Sequence, residues 1–291
     1  MSTACAPRPL GDGFVVAPER LSAEVDERAK ARESLVVLDV RAREKYEAGH
    51  LDGARWLDAA AWAKLSHAAG AGLFDVAGWR TRIGEMGIDS RDAVIVYDGG
   101  EMTESARIWF ILRLAGVSRT AVLDGGFAAL AKCLPPEQVV SGEPPRFGSK
   151  RFETTLGSAP QAGLSDKQSV DAAVRTSSAQ VWDARTPSEF AGRDLRGNPR
   201  GGHVPGAVNL SHAELLDERG RLRGVDETRK LLMDAGLNPN QPVITYCQSG
   251  GRAALASLAA LRCGFGQVRN YYMSFGEWSA DERCPIETAD K

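Results

Sequence analysis

No CxxC pair occurs anywhere in the 291 residues, and the five cysteines (5, 133, 247, 263 and 284) are scattered and odd in number. That argues against a disulfide framework and against a structural zinc site, and it suggests a reducing compartment, the cytoplasm. Long apolar runs are missing too. The best uncharged stretch, Ala253 to Leu261, has nine residues, about half of the roughly 18 a membrane-spanning helix requires. The opening MSTACAPRPLGDGF has no basic segment followed by an apolar one, so no secretory signal peptide is expected. Neither sign of charge dominates: 36 Lys+Arg against 38 Asp+Glu leaves −2. This removes the general electrostatic motive for binding nucleic acid or an anionic membrane. What remains is ordinary globular composition, 43% hydrophobic and 25% charged, at a length that suits about two domains.

The chain is one unit written twice. LVVLDVRAREKYEAGHLDGA (35–54) has a counterpart in QVWDARTPSEFAGRDLRGNPRGGHVPGA (180–207). Asp39 and Arg41 match Asp183 and Arg185, Tyr46 matches Phe190, and His50 and Gly53 match His203 and Gly206. AVIVYDGG (93–100) then matches PVITYCQSGG (242–251), which sets Asp98 on Cys247. Offsets of 144 to 153 residues, about half the chain, indicate a tandem duplication with different loop insertions. Between the halves, residues 134–163 hold five of the fourteen prolines and read as an extended surface linker. The expected domains are therefore 13–133 and 164–291.

Each half alternates short apolar runs with helical patterns. PVITY is a β-branched run suited to a buried parallel strand, and RAALASLAALRCG reads as a helix stopped near Gly264. VDETRKLLMDAGL has helix spacing, while QVWDA and VRNYY read as strands. Strands alternating with helices imply the α/β class, with a mainly parallel sheet covered by helices on both faces, twice.

The chemistry concentrates in Tyr246-Cys247-Gln248-Ser249-Gly250-Gly251-Arg252. A strand ends, a cysteine follows at once, and a loop of small residues runs directly into a helix. Ligands in open α/β sheets bind at the carboxyl ends of strands. Two glycines let the backbone N–H groups converge, the helix N-terminus adds partial positive charge, and Arg252 adds a full one. An ordinary thiol is only about 3% thiolate at pH 7. Lowering a thiol pKa by about two units takes roughly 2.7 kcal/mol of anion stabilisation, which these elements together can supply. Cys247 is thus the candidate nucleophile. Cys263, near a helix end, reads as packing, as do the tryptophans, Tyr97 and Tyr246; His50 and His203 read as structural, with no metal implied.

With those residues in hand, the sequence resembles the rhodanese superfamily, specifically its two-domain sulfurtransferases of thiosulfate and 3-mercaptopyruvate. The DVR and DAR segments, GHLDGA and GHVPGA, the Cys247 loop and SFGEW near the C-terminus carry the resemblance. It implies two tandem rhodanese-like domains, a Cys247 persulfide in the second, and no nucleophile in the first, where Asp98 stands instead. It implies a small-molecule sulfur donor, a cyanide or thiol acceptor, and no cofactor, nucleic acid or membrane. The CQSGGR loop looks more like the bacterial thiosulfate type CQTHHR than the mercaptopyruvate type CG(S/T)GVT. Mercaptopyruvate enzymes usually carry an arginine where Glu189 stands here.

Thiosulfate is accordingly the expected donor and 3-mercaptopyruvate the alternative. Gln248, Ser249, Gly250, Gly251 and Arg252 are expected to bind the donor, helped by Arg185 or Arg196. Arg185 is the expected partner of Glu189, four residues on. Arg193 and Arg200 lie in the same insertion as Arg196. Two other classes stand against this reading. A Cys-dependent phosphatase needs a Cys-x5-Arg loop, whereas only four residues separate Cys247 from Arg252. A non-catalytic sulfur carrier or binding module has no need to keep Cys, Gly-Gly and Arg together.

Overall fold

The computed structural model describes residues 9–68, 72–145, 147–152 and 162–288. The first half contributes strands β1 (Val15–Val16), β2 (Leu35–Asp39), β3 (His50–Leu51), β4 (Arg55–Trp56), β5 (Ala93–Tyr97), β6 (Thr120–Leu123) and β7 (Val139–Val140). The second contributes β8 (Ala162–Ser165), β9 (Gln180–Asp183), β10 (Val208–Asn209), β11 (Val243–Tyr246) and β12 (Val268–Tyr271). Two five-stranded sheets result, ordered β1-β6-β5-β2-β4 and β8-β12-β11-β9-β10. Every pairing within them is parallel, and the order is the same in both. Helical crossovers produce that parallel arrangement. The duplication read from the sequence is a duplication of topology.

The central strands decide where chemistry can occur. β5 and β11 are flanked on both edges and buried throughout, which suits runs such as AVIVY and VITY. Asp98 follows β5 and Cys247 follows β11, each at the carboxyl end of its central strand. The helices after these loops, Thr103–Ala115 and Gly251–Arg262, pack on one another and join the halves through one continuous core. Gly251–Arg262 is buried on nearly every face, with Ala253, Ala254, Ala256, Ala259 and Ala260 all covered. Its alanines admit the neighbouring helix closely while keeping high helix propensity.

The segment between the halves differs from the expected extended linker. Val139–Val140 pairs antiparallel with His50–Leu51, and the Lys150 amino group reaches both Asp92 oxygens at 2.7 and 2.9 Å. Backbone hydrogen bonding therefore returns part of this segment to the first half. β8 also begins at Ala162, inside the expected linker, as the edge strand of the second sheet. Cys5 lies outside the described residues. No helix among the described residues is long and apolar enough to cross a membrane.

Candidate active site

Cys247 is 1% exposed and sits where β11 gives way to the loop. Gly250 has φ +88°, and a side chain there would meet the Tyr272 ring at 2.6 Å. A Cβ on Gly251 would meet the Arg107 guanidinium at 2.7 Å. The two glycines are thus required by different neighbours. Together they let the backbone curl tightly enough for the Gly250 N–H to donate to Cys247 Sγ at 3.1 Å.

The loop's carbonyls are held outward, which leaves the Gly250 N–H facing the sulfur. Phe275 N–H donates to Cys247 O at 3.0 Å and Gly276 N–H to Gln248 O at 3.2 Å. Arg107 Nη1 donates to Ser249 O at 2.8 Å, and Ala254 N–H to Gly250 O at 2.8 Å. Four consecutive carbonyls are therefore engaged away from the sulfur. Ser274 fixes the cysteine's own backbone: its Oγ accepts the Cys247 N–H at 3.0 Å and donates to Tyr271 O at 2.8 Å. That single hydroxyl proton is committed to Tyr271, so Sγ, 3.9 Å away, is only a distant neighbour. Ser274 adopts φ +58°, a left-handed strain kept beside the cysteine.

Arg252 does not stand free, and Arg185 is not the partner of Glu189. Arg252 grips Glu189 with both Nη atoms, at 2.7 and 2.8 Å. Glu189 also closes a capping box with Thr186 at the start of the helix Pro187–Phe190. Burial opposes ionisation of this carboxyl, but the bonds from Arg252 and Thr186 prevail and hold its pKa at about 2. Burial likewise opposes the charge on Arg252, and Glu189 with the nearby Cys247 raises its pKa all the same. His212, close by, is held below its ordinary range by burial and then by Arg252. It is the neutral neighbour of the ion pair.

Arg185, expected to help hold the donor, is 1% exposed and anchored through Nε and Nη2. It binds Asp183 through Nε and Nη2, donates to Gly202 O at 2.8 Å, and lies 3.9 Å over the Phe275 ring. Arg41 repeats all of this in the first half, with Asp39, Gly49 O and Phe127. The arginine secures the strand end in both halves through Nε and Nη2. Gln248 forms a paired amide contact with Asn198 at 2.7 and 2.9 Å, which lays the 192–201 insertion against the loop. Arg200 is bound to the carbonyls of Trp278, Ser279, Asp281 and Cys284. Arg196 is exposed on that insertion, two residues from Asn198. Ser249 is exposed at the loop's outer turn.

The equivalent loop of the first half is filled by its own anion. Asp98 accepts from Gly100 N–H at 2.9 Å, and from Met102 N–H, Ser105 N–H and Ser105 Oγ at 3.1 Å each. A carboxylate cannot carry sulfane sulfur, and this one occupies the amides that would receive it. Asp98→Ala strands four donors and is expected to lower stability by about 2–4 kcal/mol. Denaturant unfolding measures that loss.

His50 and His203 are structural in the same way in both halves. Each ring stacks on its partner, Tyr46 or Phe190, and uses Nδ1 on that residue's carbonyl. The remaining described thiols lack the Cys247 setting. Cys263 is buried against Val225 O, and burial pushes its pKa up to about 11.

Comparison with known proteins gives the same reading of the fold. A curated thiosulfate sulfurtransferase from Corynebacterium glutamicum is 32% identical over 254 residues, covering 84% of this chain and 82% of its own. One from Rattus norvegicus is 29% identical, covering 91% of both chains. A 3-mercaptopyruvate sulfurtransferase from Escherichia coli K12 is 27% identical, covering 86% and 87%. The crystal structure of YnjE superposes with a TM-score of 0.83 at 22% identity, over 98% of this chain and 70% of that one. Residues 21–133 and 166–281 each match the rhodanese-like domain. With two sheets of one topology, a strand-end cysteine in one and an aspartate in the other, the chain belongs to the rhodanese-like family as a tandem pair.

Proposed function

We propose that this protein is a sulfurtransferase that carries sulfane sulfur as a Cys247 persulfide, with thiosulfate as donor. The Gly250 N–H directed at Sγ over 3.1 Å, in a loop whose carbonyls all face away, carries the reading. Cys247 thiolate attacks the outer sulfur of thiosulfate, the S–S bond breaks, and sulfite leaves with the bonding pair. Cyanide or a thiol then takes that sulfur and regenerates the thiolate. The loop amides oppose the negative charge on sulfur in both steps. The catalytic half is 164–291, the non-catalytic half 13–133, and the free described cysteines suit a cytoplasmic location.

The donor assignment rests on the names of the relatives and on the CQSGGR loop. In this reading Gln248 to Arg252 bind the donor, helped by Arg185 or by Arg196 on the insertion. One observation favours mercaptopyruvate as a second reading, the similarity to the Escherichia coli enzyme of that name. Phosphatase chemistry fits less well, because only four residues separate Cys247 from Arg252. Incubation with thiosulfate should add 32 Da to the chain, and a phosphate ester should be left intact. Steady-state kinetics should give a higher kcat/KM for thiosulfate than for 3-mercaptopyruvate. A wide margin the other way would overturn the donor.

A further inference from the structure

We infer that Arg107, a residue of the half without a nucleophile, is a positioning residue for Cys247 and acts through the peptide group between Ser249 and Gly250. The inference rests on Cys247 as the reactive sulfur and deepens that reading. Ser249 C=O and Gly250 N–H are the two ends of one planar trans peptide, so they point in opposite directions. Arg107 Nη1 holds the oxygen end at 2.8 Å, and the N–H end meets Cys247 Sγ at 3.1 Å. Pulling the carbonyl toward the first half is therefore the same motion as aiming the amide at sulfur. A cation on the oxygen also polarises the peptide, which strengthens its N–H as a donor to an anion.

The guanidinium is built into its place. Arg107 is 6% exposed and rises from the helix Thr103–Ala115, which packs on the helix that follows the Cys247 loop. Nη1 also donates to the Tyr272 hydroxyl at 2.7 Å, while Nε and Nη2 reach Glu104 at 3.0 and 3.3 Å. Tyr272 in turn lies against Gly250 and has Ser66 Oγ 2.9 Å from its hydroxyl. Of the four outward carbonyls, only that of Ser249 is held by the other half; the remaining three are held by backbone N–H groups of 254, 275 and 276, with Asn270 Nδ2 also donating to Gly250 O. The silent half thus supplies the one full charge in the set. It also explains why Gly251 carries no side chain, since a Cβ there would displace this guanidinium.

The test follows Cys247 alkylation by iodoacetamide from pH 6 to pH 10 in the full chain, read by mass spectrometry of the Cys247 peptide. Arg107→Gln should slow alkylation at pH 7 at least fivefold and leave it within twofold of wild type at pH 10, where charge stabilisation no longer limits the thiolate. Arg107→Lys, which keeps the charge, should recover a large part of the rate at pH 7. Persulfide formation at saturating thiosulfate should fall with the pH 7 alkylation rate, while the half-saturating concentration moves less than twofold. A profile for Arg107→Gln that overlays wild type, or one slowed equally at both pH values, overturns the inference. If that variant does not fold, Glu104→Gln takes its place. It keeps an acceptor for Arg107 and removes the opposing charge at a half-exposed position, so alkylation at pH 7 should speed up; no change or a slowing overturns the inference. Wild type that takes no sulfur from thiosulfate would sink the donor reading alone, because the alkylation comparison does not depend on it.

Discussion

Cys247→Ser is expected to abolish sulfur transfer, with thiocyanate production from thiosulfate and cyanide falling to background and no 32 Da adduct. A serine hydroxyl at the end of β11 remains protonated near neutral pH, and oxygen does not form the persulfide that carries the transferred sulfur. The loss should exceed 1,000-fold, about 4 kcal/mol of transition-state stabilisation at least. The other cysteines make the contrast sharp. Cys263 sits at the end of the helix Gly251–Arg262, with its thiol pushed up to about 11 by burial. Burial first, then Asp281, raises the Cys284 pKa too, and Cys133 is exposed, with its Sγ beside Glu19 and the Ala129 carbonyl. Replacing any of these three should leave most of the activity. Persulfide on the Cys247→Ser chain would reassign the nucleophile.

Much of the fold was legible because the chain states it twice. Strand-like VITY ends at a cysteine, AVIVY ends at an aspartate, and both lie at the centre of their sheets. The Gly-Gly pair was legible as a curled loop, although its two reasons, the Tyr272 ring and the Arg107 guanidinium, are contacts across long sequence separations. Side-chain partners were the weak point. Arg185 and Glu189 are four apart and suggested a local pair, yet Thr186-x-x-Glu189 is a capping box that turns Glu189 toward Arg252, 63 residues away. A signal that Arg185 anchors its strand end was already in the repeat. Asp-x-Arg occurs at 39–41 and at 183–185, although only one half ends its central strand in cysteine. A pair kept by both halves belongs to their shared architecture. Nothing local marks Asn198, His212, Ser274 or Arg107; each reaches the site through the assembled sheets and helices.

The Arg252–Glu189 pair reverses what Arg252→Ala would measure. Read as a free donor-binding group, Arg252 should cost only activity when truncated. In the folded chain its removal leaves Glu189, 2% exposed, without its cation. An uncompensated buried charge typically costs about 3–5 kcal/mol, so Arg252→Ala should be strongly destabilised at neutral pH. The pH dependence identifies the cause. Glu189 has a folded pKa of about 2 against an ordinary 4.5, so its contribution is complete above pH 4.5 and is lost as pH falls toward 2. Without Arg252, burial is the largest influence left and raises that pKa, so the deficit of the variant should shrink as the carboxyl takes up a proton. Urea unfolding at pH 7 and at pH 4 reads this directly, and an equal loss at both values would refute it. Adding Glu189→Gln removes the stranded charge and should restore much of the stability. In that double variant the donor role of Arg252 becomes measurable apart from folding. Relative to Glu189→Gln alone, kcat/KM for thiosulfate should fall tenfold or more, about 1.4 kcal/mol of transition-state stabilisation. A smaller fall would mean that the arginine serves the ion pair and leaves the donor to the loop amides and Arg196.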